Sequence, residues 1–325
     1  MGYSARYHVA SLAAIFLALG VGILIGTGLG KNVINGTTRG LESSLKSDLD
    51  SARNQAATLR GELHQQQEFA QLVYPALTNA ALRGDRIAVV ALGGLDGGLR
   101  GDLERVLGRQ NATGARIREF AVIREPPDVP GLNGDVRGTR FHPLHEENGG
   151  LTAFGRHAAR SLVDGGPFFR RVSGALLAGR SGKPTSIDAV IVVRSAPTGL
   201  KPAAASATAG LEAGLLDGLQ ATGVPVVAVE RTDTDPSSLS LFRSHALATV
   251  DDLDQTAGSV ALVYALRGAN GSYGIGPTAN RLMPPLGRIH RATTRVRTGL
   301  NLAQATPPAQ TTDTQTKPAK TSTRR

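Results

Sequence analysis

Residues 86–107 read RIAVVALGGLDGGLRGDLERVL, and this stretch decides the fold. After its arginine, the run to Leu92 is continuously apolar and rich in β-branched residues, which is the composition of a strand buried on both faces. Gly93-Gly94-Leu95-Asp96-Gly97-Gly98 follows, and then a helical stretch from Leu99 to Leu107. A second strand is predicted over Ala115–Ile123, so the order is strand, loop, helix, strand, the unit of a parallel sheet. Exposed N–H groups at a helix start can hold phosphate. Neither G-x-G-x-x-G nor G-x-x-x-x-G-K-[ST] occurs here, so the glycines are assigned to a tight strand-to-helix corner.

Downstream the alternation continues. Strands are predicted at Ile187–Val193 (IDAVIVV), Val224–Val229 (VPVVAV) and His245–Val250, and an alanine- and leucine-rich helix at Ala203–Gln220. Residues 124–150 carry Pro126-Pro127, Pro130-Gly131 and Gly149-Gly150 and read as an exposed loop. Helical patterns at Leu151–Val163 and Phe168–Ala178 follow it. Asp251-Asp252-Leu253-Asp254 is expected to cap a helix running to about Arg267.

Upstream lies VASLAAIFLALGVGILIGTGLG, residues 9–30, with no charged side chain. As a helix it rises about 33 Å, close to the roughly 30 Å hydrocarbon core of a bilayer. A cleaved signal peptide shares the basic start and apolar centre. The run exceeds the usual signal length and lacks an A-x-A site, although Gly26-Thr27-Gly28 has small residues at cleavage spacing. The expectation is an uncleaved anchor. Arg6 favours a cytoplasmic N-terminus, with the bulk of the chain outside the cytoplasm.

Between anchor and first strand, Leu45, Ala52, Leu59, Gln66 and Val73 recur every seven residues, and so do Leu49, Ala56, Leu63 and Ala70. Together they space a coiled-coil seam, whose best positions are Leu45, Leu49, Ala52, Ala56, Leu59 and Leu63. The seam predicts a homodimer; an amphipathic helix packed on its own domain would show the same spacing. The fold class expected is therefore α/β: an N-terminal transmembrane helix, a coiled-coil helix, then a Rossmann-like, mostly parallel sheet domain with flanking helices. Boundaries are expected at 1–31 for the anchor, 32–83 for the stalk, 84–280 for the α/β domain and 281–325 for a basic, largely disordered tail.

The chain has 325 residues, no cysteine and a net charge of +10. Disulfides, zinc thiolates and cysteine nucleophiles are thereby excluded. From Arg281 onward seven arginines and two lysines face one acid, Asp313, so +8 of the charge sits in the tail and only +2 in residues 1–280. Such a tail suits loose binding to anionic lipid or wall polymer. It lacks aromatic residues for base stacking, and no nucleic-acid partner is expected. No Ser-His-Asp set, phosphate loop or paired carboxylates can be placed, so no catalytic residue and no enzyme activity are assigned. The only local cluster resembling metal ligands is His142, His145 and Glu146, whose spacing fits no standard motif.

Two segments are recognisable together with the coiled coil: YHVASLAAIFLALGVGILIGTGL at residues 7–29 and TVDDLDQTAGSVALVYALRGANGSYGIG at 249–276. The combination resembles the actinobacterial copper transport protein family, described for mycobacteria as an outer-membrane channel protein, over about Tyr7 to Pro285. The resemblance implies copper efflux or homeostasis at the cell envelope by a non-enzymatic oligomer, with copper as the transported ion and no resident cofactor. The residues do not themselves display that chemistry. Copper(I) prefers thiolate and thioether ligands, and the chain offers only Met1 and Met283. One spanning helix encloses no pore, and the strand pattern is not that of an outer-membrane barrel. The alternative is a coiled-coil scaffold that recruits or regulates envelope proteins for wall remodelling or cell division.

Overall fold

The computed structural model describes residues 5–108, 112–145, 149–182 and 185–286, with the backbone alone described at 5–7 and 28–42. Most of the predicted tail, from residue 287 on, lies outside the described residues.

One helix, α1 (Ala5–Thr78), runs without interruption through the expected anchor and stalk. Its 74 residues rise about 110 Å. The segment His8–Thr27 is apolar enough to cross a membrane, and none of it is buried against the protein. Ile15, Phe16, Leu17 and Leu24 stand exposed along it. A core helix is covered by its own domain; this one is not, and the bilayer is the solvent that suits it.

The chain then builds β1 (Arg86–Leu92), α2 (Gly97–Leu107), β2 (Arg116–Ile123), α3 (Val129–Asp135), α4 (Gly150–Asp164), α5 (Pro167–Leu176) and β3 (Leu177–Gly182). It continues with β4 (Ala189–Arg194), α6 (Pro202–Gln220), β5 (Val226–Val229), α7 (Leu239–Ser244), β6 (Ala248–Val250), α8 (Thr256–Leu266) and β7 (Ser272–Tyr273). The seven strands form one sheet in the order β3-β2-β1-β4-β5-β6-β7. All neighbours are parallel except β2 and β3. The direction of winding reverses between β1 and β4, which is the topological switch point of a doubly wound sheet.

Two cores explain the apolar strands. Ala88, Val90 and Leu92 of β1 face a core built with α3 to α7, while Ile87, Val89 and Ala91 face a second core built with α2, α8 and the end of α1. A strand covered on both faces needs an unbroken apolar run, and β1 and β4 have one. Helix α8 (TAGSVALVYAL) is apolar on every side, which only a helix covered all round can tolerate. The sheet covers one side, and Tyr74 and Leu77 of α1 pack into the same core on the other. The hydroxyl of Tyr264 donates to the Leu77 carbonyl at 3.4 Å. The last turns of α1 thus belong to the head.

Four expectations need correction. The loop at 124–150 contains α3, and Val129, Leu132, Val136 and Leu144 are buried, so this segment contributes to the core. The helix expected to run through Ala178 stops at Leu176, and Leu177–Gly182 turns back as the antiparallel edge strand β3. Short helix α7 precedes β6, which starts at Ala248 rather than His245. The aspartates at 251–254 do not cap α8: Gln255 is its N-cap and makes no side-chain capping bond. The glycine corner after β1 is as expected, with Gly93 at φ +78 and the Asp96 side chain accepting from the Leu99 N–H at 3.0 Å.

Candidate functional site

In an open parallel sheet the ends of the strands collect polar side chains, because the backbone leaves the apolar layer there. At this protein's carboxyl edge they form a buried ionic cluster. Arg194, the last residue of β4, grips Glu212 of α6 with two bonds, Nε to Oε1 at 2.5 Å and Nη2 to Oε2 at 3.2 Å. Its Nη1 also donates to the Ser238 hydroxyl at 3.2 Å. The Glu212 side chain is 5 % exposed and that of Arg194 18 %. Directly after β5, Glu230 accepts from the Ser237 hydroxyl at 2.8 Å and the Ser238 N–H at 2.5 Å. Burial holds its carboxyl above the usual range.

Glu125 completes the cluster at the switch point, two residues beyond β2. Neither carboxyl oxygen is exposed, and neither finds a hydrogen-bond donor among the described residues. Burial and the neighbouring charge of Glu212 push its carboxyl up to about 8, against the pull of Arg194. At neutral pH Glu125 is therefore mostly the neutral acid, and its proton is the one group able to bridge to Glu212. The crevice where doubly wound folds hold a ligand is filled here by the protein's own side chains. A Cβ on Gly93 would lie 2.7 Å from Glu125 Oε2 and 2.6 Å from the Ser195 carbonyl, so the close fit requires glycine.

A second buried acid follows β6. Asp252 is fully buried, with no hydrogen-bond partner for either oxygen among the described residues, and burial together with Asp251 and Asp254 raises it to about 7. Asp251 accepts from the N–H groups of Ile275 at 2.9 Å and Gly276 at 3.0 Å, tying the chain after β7 to the edge. Asp254 accepts from the Thr232 N–H at 2.8 Å.

The raised acids Glu125, Glu230 and Asp252 all act in the same direction on stability. A carboxyl whose folded value lies above its unfolded value stabilises fully below the unfolded value, and loses that contribution as pH rises through the folded one. The head should therefore be most stable near pH 4–5 and weaken between pH 5 and 8.5. Thermal unfolding followed by circular dichroism checks this, with Tm falling by several degrees across that window. Glu125→Gln keeps a donor toward Glu212 without an ionisable proton, and it should flatten the slope and raise Tm at pH 8.5. An unchanged slope in this variant would show that Glu125 does not carry it.

The residues singled out from sequence lie elsewhere. His142 and His145 are exposed beyond α3, and Glu146 lies outside the described residues. No group of three His, Cys, Asp or Glu is placed to hold a metal ion among the described residues. Of the seam, Leu45, Leu49, Leu59 and Leu63 are 50–66 % exposed, Ala52 is exposed and Ala56 half-buried. Farther along the same stripe, Ala70 and Val73 are half-buried where α1 reaches the head. Glu125, Arg194, Glu212 and Glu230 were not anticipated. A signal was present for three of them, since Glu125, Arg194 and Glu230 end or closely follow the apolar runs of β2, β4 and β5, whereas Glu212 lies within α6 and carries none.

A family model described as "Copper transport outer membrane protein, MctB" matches residues 3–118 and 169–284. The chain belongs to the MctB copper transport family. The matched parts take in all of α1, β1, α2 and the first three residues of β2, and then run from Phe169 in α5 to Pro284. The MctB match omits 119–168, the segment that holds His142, His145 and Glu146, so family membership lends those three no support as ligands. No curated protein matches the chain individually. As an MctB-family protein with an N-terminal apolar helix, this is a membrane-associated protein of the copper transport class.

Proposed function

We propose that the protein works in copper efflux at the cell envelope as a dimer, anchored by His8–Thr27, paired through α1 and carrying the α/β head outside the cytoplasm. Family membership supports the copper role. The carrying observation for pairing is the stripe Leu45 to Leu63, four leucines exposed on a helix with no domain of its own to cover them. The described sheet is open, with edge strands β3 and β7 and helices on both faces, and is not a closed barrel. Passage of copper would then depend on assembled anchors or on a partner that forms the path.

Cell-associated copper in a deletion strain grown in excess copper tests the role. Copper should rise severalfold on deletion and return on restoration of the full-length gene. A second reading is favoured by the anchor, long helix and closed head together: a scaffold that presents the head to envelope enzymes. It predicts unchanged copper, with defects in wall integrity or cell separation.

A further inference from the structure

At the opposite edge of the sheet, the amino ends of β1 and β2 frame an open groove of about 940 Å³. Arg83, Arg116 and Arg118 line it and are exposed. None of the three takes part in an ion pair or side-chain hydrogen bond among the described residues. Elsewhere on the head, Arg86, Arg156, Arg180 and Arg194 each hold a carboxylate at 2.5–2.9 Å. Glu104, the carboxylate in the groove wall, is held by Arg100 at 3.0 Å. Three like charges thus face one space whose single lining carboxylate is already shared with Arg100, and solvent or an anion must compensate the rest.

The backbone is shaped to bring them together. Between Ile87 and Ala88 the register with β2 slips by one residue, so Arg118 is bulged out of the ladder and Ile117, Arg118 and Phe120 all border the groove. Gly84, at φ +84, and Gly114, at φ +70, form part of the wall, where their lack of side chains leaves backbone accessible. Guanidinium groups bind phosphate in planar, bidentate fashion, and three of them around one space suit an anion that carries several charged oxygens, as a chain of phosphates does, more than a single halide or carboxylate.

Position selects among sources of phosphate. Gln71 and Tyr74 of α1 border the first turn of α8, beside Thr256 and Ser259, while Leu77 meets Tyr264 near its end. The two helices therefore run in the same direction, and α1 ends at the amino edge of the sheet. About 75 Å of helix separates Thr27 from Thr78, placing the groove far from the bilayer that holds the anchor.

We propose that Arg83, Arg116 and Arg118 form a binding groove for a phosphate-bearing polyanion at the membrane-distal edge of the head. This site does not depend on the copper role. The probe is fluorescently labelled inorganic polyphosphate, titrated against the full-length protein in nanodiscs made of neutral lipid. The expected result is binding that weakens with salt, falls at least tenfold in Arg116→Glu/Arg118→Glu, and is not displaced by phosphatidylglycerol vesicles. Arg83→Glu, outside the sheet, provides a second variant should the strand variant fold poorly, and should also weaken binding. A third variant replaces Arg288, Arg291, Arg295 and Arg297 with glutamine. Loss of binding only in that variant, equal binding by the groove variants, or displacement by the anionic vesicles would each overturn the proposal.

Discussion

Arg194→Met should cost the head about 3–5 kcal/mol at pH 7.5. The substitution keeps volume but removes the cation that faces Glu212 and Glu125. Glu212 is then a buried carboxylate without its partner, beside a second carboxyl that already keeps its proton at neutral pH. With total stabilities of about 5–15 kcal/mol for single domains, such a loss brings the head close to unfolding at physiological temperature. Denaturant titration at two pH values distinguishes this cause from simple loss of packing. At pH 5 part of the loss should be recovered, because a buried carboxyl without a cation is tolerated as the neutral acid. Replacing Arg194 and Glu212 together by Met and Leu should cost less than Arg194→Met alone, since removing both partners leaves no stranded charge. If the double variant is the less stable, the pair is contributing more than its mutual compensation.

The second large effect is on assembly. Leu49→Asp with Leu59→Asp should convert a dimer into a monomer while leaving the head intact. Both leucines are at least half exposed in the single chain, so the substitutions disturb no contact within it. In a paired helix they are seam positions, where each buried aspartate costs roughly 1–3 kcal/mol and the two-fold symmetry doubles the count. Sedimentation of the full-length protein in detergent reads the mass, and Tm of the head should be unchanged. A monomeric parent protein would remove the pairing proposal outright.

Much of the fold was legible because its determinants are local. The runs at 86–92 and 189–194 are long enough and apolar enough to specify strands covered on both faces, and the glycine corner with Asp96 fixes the turn into α2. What sequence alone did not disclose depends on contacts made across the chain. Residues 124–150 look like loop because prolines and glycines dominate, yet Leu132 and Leu144 gain burial only once α4 and α5 are in place. The edge strand β3 (LAGRSG) has little strand propensity, and pairing with β2 imposes its conformation. The aspartates after β6 looked like a cap, and local rules could not show that Asp251 is taken up by the N–H groups of residues 275 and 276. The ionic cluster needs three strand ends and helix α6 to meet. Glu125, Arg194 and Glu230 are visible one by one as charges at the ends of apolar runs, but their meeting, and the arrival of Glu212 from α6, is a property of the sheet order.

The apolar stripe of α1 has two tenants. From Leu45 to Leu63 it is open, and from Ala70 to Leu77 the head occupies it. In a pair, two helices zipped along this stripe must part near Gln66, because beyond that point each is already held by its own α8. In such a pair the stripe would act as a ruler that sets both the reach of the heads and the direction they face. Seven added residues would lengthen the stalk and keep the heads in phase, whereas five would swing them about 140° around the axis without touching a single contact in either head.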